Sequence, residues 1–194
     1  MKLDDSINYI ASGIERSGTS LLMQILEAGG LPMGFDTDSR PPDDNNPRGY
    51  YELEGGKIIN RLMNNTFPLA DYRGQFVKIT AFGLKFLPPG HYRIIYTERN
   101  IEEVLDSMEK MARIQDKDRE ETKASFIKLN EMIKSLIADR EDIDVLFVNY
   151  NQIVADPQGQ IKKIVDFLGE KDIDQAAMVA AVDQKLYRKR RPNA

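Results

Sequence analysis

Gly13-Ile14-Glu15-Arg16-Ser17-Gly18-Thr19-Ser20 stands between a short apolar run, Ile7-Asn8-Tyr9-Ile10-Ala11, and an apolar helical pattern. Its two glycines have the spacing of a phosphate-binding loop, G-x-x-x-x-G-K-[ST]. Glycines five apart let the chain curl until successive backbone N–H groups point at one anion, at the positive end of the following helix. The lysine position holds Thr19, and a basic residue, Arg16, sits inside the loop instead. Nucleotidases with this loop use that lysine to hold the β- and γ-phosphates. The stretch therefore predicts a phosphate-like ligand and argues against routine ATP hydrolysis.

Outward from the loop, Leu21, Leu22, Ile25 and Leu26 form one face of a helix over 18–28, stopped by Gly29-Gly30. Residues 32–49 are rich in Pro, Asp, Asn and Gly without periodicity, which predicts a long functional loop. Helical spacing resumes near Tyr51 with Leu53, Ile58, Ile59, Leu62 and Met63. Strands are predicted at 76–80, 92–97 and 144–148. Helices are predicted from Ile101 to Met111, around Phe126 to Ile137, from Asp156-Pro157 to Gly169, and more weakly over 172–183. Apolar strands separated by helices indicate a three-layer α/β/α fold with a mostly parallel sheet, a P-loop nucleotide-binding architecture. Ligands of such sheets bind beyond the strands' carboxyl ends. Residues 12–20, Thr80, 98–100 and 149–151 all fall there.

The 194 residues fit one domain, 1–194. Lys plus Arg number 27 against 31 Asp plus Glu, a net charge of −4, so a general nucleic-acid surface is not expected. With no cysteine and one histidine, His91, neither disulfides nor thiolate or histidine-cluster metal sites arise. No apolar run approaches the roughly 18 residues of a membrane span, and the first residues are too acidic for a signal peptide. A cytoplasmic protein is the expectation.

Three motifs in order resemble the sulfotransferase family, enzymes that use 3′-phosphoadenosine 5′-phosphosulfate. Residues 13–22 match a loop of the form G-x-P-R-S-G-T-[ST]-L-L, with Glu15 in place of proline, as in the tyrosylprotein and various bacterial sulfotransferases. Arg99 at a strand end and Ser107 eight residues on match the family's 3′-phosphate contacts, with Asn100-Ile101 where Asp-Pro is common. Residues 148–157 running to Phe167-Leu168-Gly169 are similar to a Y-E-x-L…D-P…F-L-G stretch, with Asn151 in place of the glutamate.

The resemblance implies sulfuryl transfer to a hydroxyl or amine of a small-molecule or carbohydrate acceptor, with adenosine 3′,5′-bisphosphate as product and no metal. It makes Arg16 the residue that stabilises the leaving oxygen. Ser17, Gly18, Thr19 and Ser20 become the donors to the 5′-phosphate, and Arg99 and Ser107 the contacts to the 3′-phosphate. Lys78 corresponds to a strand lysine near the transferred group, and Arg188 and Arg190 belong to a basic tail that closes over the 3′-phosphate. The general base is assigned to Glu52, ahead of Asp36. Each has a structural alternative: helix capping for 17–20, a helix-dipole acid for Glu52, a snorkelling lysine for Lys78, a solvated charge run for the tail. Two other functions fit the loop alone, a nucleotide kinase or NTPase with a degenerate loop and a noncatalytic nucleotide-binding domain. In the first, Glu98 would be the metal-holding acid.

Overall fold

The computed structural model describes residues 2–36, 41–43 and 46–183. Among the described residues, five parallel strands form one sheet in the order β2-β3-β1-β4-β5. They are β1 Asn8–Gly13, β2 Met33–Gly34, β3 Phe76–Lys78, β4 Tyr92–Glu98 and β5 Ile143–Asn149. All six residues of β1 are buried, as its central place requires. Successive side chains leave opposite faces of a strand. Ile10 and Ile94 enter one apolar core and Tyr9, Ala11 and Ile95 the other.

The first core is covered by α2 Ile58–Met63, α3 Ile101–Ala112 and α4 Arg119–Ala138. The second is covered by α1 Thr19–Ala28, α5 Tyr150–Ala155, α6 Pro157–Leu168 and α7 Gln175–Ala180. This is the three-layer α/β/α arrangement expected from the alternation of elements. Helix starts are fixed by local chemistry. Asn100 accepts from the N–H groups of Glu102 and Glu103 at α3, and Asp156 accepts from Gly159 N–H at α6, with Pro157 in its first turn. Gly169 ends α6 in the left-handed conformation at φ 71°.

The structure departs from the periodicity in three places. The predicted loop contains β2, only two residues long, which extends the sheet beside β3. The helical pattern at Tyr51 gives only a short 3₁₀ turn at Glu54–Gly56 and no α-helix until Ile58, because Tyr51 (φ 56°), Glu54 (φ 49°), Gly55 and Gly56 are left-handed. The helix expected over 172–183 is α7, which is shorter. No helix among the described residues is long and apolar enough to cross a membrane.

Candidate functional site

The loop after β1 is built so that two of its residues must be glycine. A Cβ on Gly13 would sit 2.4 Å from Ser17 Oγ and 2.5 Å from the Thr97 carbonyl. One on Gly18 would sit 2.4 Å from the Tyr150 ring, and Gly18 is also left-handed at φ 108°. Thr97 Oγ1 donates to the Ser12 carbonyl at 3.0 Å and accepts from Ser17 Oγ at 2.9 Å. Ser17 is thus fully buried, and its N–H closes a turn onto the Ile14 carbonyl. Expected as a ligand donor, it instead holds the loop's shape, and its side chain lies outside the cavity wall.

The loop opens onto a cavity of about 390 Å³ beyond the carboxyl ends of β1, β3 and β4. Gly18, Thr19 and Ser20 line it at the start of α1, whose first turn carries no acid. An anion there meets the positive end of the helix with no carboxylate in its first turn. Arg16, left-handed at φ 65°, lines the wall and donates through Nε to Ser107 Oγ at 3.0 Å. Ser107 is buried on α3 and faces the loop rather than solvent. Arg99 lies at the end of β4, donates through Nη1 to the Arg16 carbonyl at 3.3 Å, and stacks 4.5 Å over the Tyr150 ring. Arg16 of the loop, 83 residues from Arg99 and 91 from Ser107 in sequence, therefore shares one cavity with that pair.

Across from them stands Lys78, the last residue of β3. Its ammonium, buried at 7% exposure, donates to the Tyr50 carbonyl (2.8 Å), Ser20 Oγ (3.2 Å) and Glu52 Oε1 (3.2 Å). It is no snorkelling surface lysine. Glu52 lies between left-handed Tyr51 and the left-handed turn at 54–56 rather than opening a helix, and Gly56 leaves room for its second oxygen, 3.0 Å from where a Cβ would be. Asn46 donates to Ser20 Oγ at 2.8 Å and brings the 46–50 loop over the cavity. Arg48 fastens that loop to the Ala181 carbonyl and to Asp183. On its other side, Tyr51 donates to Glu27 at 2.7 Å; burial, and then this bond, pushes its phenol well above the usual tyrosine range.

Other candidates fall elsewhere. Asp36 does not line the cavity, although its N–H donates to the Glu52 carbonyl. Glu98 turns to α4, where Lys134 (2.7 Å) and Asn130 donate to it. His91 precedes β4 at the opposite rim. Arg188 and Arg190 lie outside the described residues. Sequence reasoning passed over Asn46, Tyr150 and Glu103. Tyr150 sits inside a quoted motif without a role, and nothing in the sequence sets Glu103 apart from other acids in a helix's first turn. Among the described residues, no group of three or more His, Asp or Glu is placed to hold a metal.

The cavity thus offers an anion cradle, a second cationic arm and an enclosed Lys–Glu pair, all on one rim of a parallel sheet. Comparison with known proteins agrees. The sulfotransferase domain family model matches residues 7–186. A mouse sulfotransferase solved in complex with PAP superposes with a TM-score of 0.51 at 16% identity, over 94% of this chain and 64% of that one. This chain therefore spans less than two thirds of the mouse protein. The sulfotransferase domain of the Synechococcus PCC 7002 olefin synthase gives 0.55 at 17% identity, over 97% and 89%. At such identities the two structures speak for the fold. No curated protein sequence matches significantly. The family model covers nearly the whole chain and runs through every motif that builds the cavity, and the chain belongs to the sulfotransferase domain family.

Proposed function

We propose that the chain, acting as a single domain, transfers a sulfuryl group from 3′-phosphoadenosine 5′-phosphosulfate to a hydroxyl or amine of a small-molecule or carbohydrate acceptor. The observation that carries this reading is the meeting of the 13–20 loop with Arg99 and Ser107 in one cavity. A ligand with phosphates at both ends of a nucleoside needs two such anion sites, and a simple nucleoside triphosphate needs one. The loop suits a 5′-phosphate because Gly13 and Gly18 let it close against Ser17, Thr97 and Tyr150 at the positive end of α1.

Sulfuryl transfer, like phosphoryl transfer, relies mostly on positioning and on positive charge where the leaving oxygen gathers electrons. The donor supplies the activated sulfuryl group. Gly18, Thr19 and Ser20 hold the 5′-phosphate, and Arg99 and Ser107 the 3′-phosphate. Arg16, inside the loop, neutralises charge on the leaving oxygen. Lys78 supplies a second, enclosed positive charge beside Ser20. Glu52 takes the proton of the acceptor as its oxygen or nitrogen attacks. Its contact with Lys78 keeps the carboxylate aimed into the cavity.

Calorimetry tests this directly. Adenosine 3′,5′-bisphosphate is expected to bind without metal and more tightly than ADP with Mg²⁺, since each charge-assisted contact contributes about 1.5–3 kcal/mol. Tighter binding of ADP that depends on Mg²⁺ would return the chain to the nucleotidases.

A further inference from the structure

Glu103 is 0% exposed and lines no part of the cavity, yet it belongs to the first turn of α3, where an acid normally faces water. A buried carboxylate is strongly unfavourable unless it is paired and hydrogen-bonded. Here its Oε2 accepts from Arg99 Nε at 3.0 Å and from Asn151 Nδ2 at 3.1 Å. The Asn100 N–H donates to Asn151 Oδ1 at 3.2 Å, which fixes the oxygen side of that amide and turns its NH₂ to Glu103. The guanidinium of Arg99 lies against the Tyr150 ring, and the same ring fills the space beside Gly18.

A guanidinium is a planar fork. An acceptor at Nε sets its rotation within the plane, and a ring against its face sets the tilt of the plane. Glu103 and Tyr150 together leave Arg99 one orientation, with Nη1 reaching the Arg16 carbonyl at the cavity edge. The sequence at 151 matters as well. A glutamate there would bring a second carboxylate within hydrogen-bond reach of Glu103 in a buried place, and two such charges disfavour each other. Asn151 donates instead, so the single carboxylate stays available to Arg99.

We propose that Glu103, anchored by Asn151, is a positioning residue that fixes Arg99 and thereby sets the preference for nucleotides carrying a 3′-phosphate. The inference rests on the reading of Arg99 as the 3′-phosphate contact. A plain stability staple between α3 and α5 would use the same bonds, but it would weaken all ligands together.

Calorimetry on the whole chain with adenosine 3′,5′-bisphosphate and with 5′-AMP separates the two. Glu103→Gln is expected to lose about tenfold or more in affinity for the bisphosphate while 5′-AMP changes by less than about twofold. Glu103→Gln combined with Asn151→Glu, which moves the carboxylate across the pair, is expected to recover most of that loss. Equal losses for both ligands, or no loss, would overturn the inference. Should Glu103→Gln not fold, Asn151→Ala leaves the carboxylate present but unanchored. It must then lower the bisphosphate-to-AMP preference by several-fold, and an unchanged preference overturns the inference equally. A parent chain that binds the two ligands alike would instead overturn the reading of Arg99 and Ser107 itself.

Discussion

Arg16 differs from the other cavity cations in sitting within the cradle rather than around it. Its left-handed backbone, unusual for a side chain with a Cβ, goes with a guanidinium that donates to Ser107 on the cavity wall. Charge placed at a leaving oxygen acts on the transition state more than on the bound ground state. Arg16→Ala is therefore expected to reduce turnover by about 10²–10³-fold, the effect of deleting one such donor. Affinity for adenosine 3′,5′-bisphosphate should fall much less. Arg16→Lys should keep a good part of the rate, since a point charge serves where no bidentate fork is required. Slow hydrolysis of the donor, or a panel of phenolic, sugar and amino-alcohol acceptors, provides the assay. Turnover by Arg16→Ala equal to the parent would reduce the loop to a phosphate cradle. At this scale the sequence was most readable, because Arg16, Arg99 and Ser107 belong to local motifs. Glu103 was hidden, because its burial depends on Asn151 from a distant element.

At the scale of elements, long strands and capped helices could be read and the backbone around Glu52 could not. The apolar spacing of Leu53, Ile58, Ile59 and Leu62 imitates a helix, but Leu53 reaches the core from an extended residue while a left-handed turn separates it from α2. Strand β2 was invisible for a different reason. Two residues carry no period, and its place comes from pairing with β3. By contrast, the segments that enter β4 and β5 are held together by a local clamp. Arg140 donates to both oxygens of Asp142, at 2.8 and 2.6 Å, and to the carbonyls of Leu87 and Pro88. The Arg140 guanidinium, helped by the Gly90 N–H, holds the Asp142 carboxyl down at about 2. A lowered folded-state pKa contributes stability above the unfolded value of about 3.9, lost as pH falls towards the folded one. Asp142→Asn should thus have a lower melting temperature than the parent at neutral pH, and the gap should close between about pH 4 and pH 2. Thermal melts at several pH values would show this, and a gap that stays constant down to about pH 2 would exclude the clamp as its cause.

Taken as a whole, the molecule assembles its cavity from stretches that span 15 to 183 in sequence, so ligand and fold should be strongly linked. A ligand at about 100 times its dissociation constant adds about 2.7 kcal/mol to unfolding, and a chain of this size gains about 2–4 °C per kcal/mol. Adenosine 3′,5′-bisphosphate at that concentration should raise the melting temperature by about 5–10 °C, equally with EDTA present. A flat melting curve would mean the two anion sites do not close on one ligand. The sheet order carries a further consequence. On one side of β1 stand β4 and β5, seven residues each with a continuous ladder between them; on the other stand β3 and β2, with three residues and two. The phosphate arms hang from the long, heavily paired side, while Lys78, Glu52 and the 46–50 loop hang from the short one. Random mutagenesis of 47–49 and 53–57, which spares Asn46, Tyr50 and Glu52 with their bonds to Ser20 and Lys78, should therefore change what is modified while leaving affinity for adenosine 3′,5′-bisphosphate intact. A lineage would be able to trade one acceptor for another without rebuilding its sulfate supply.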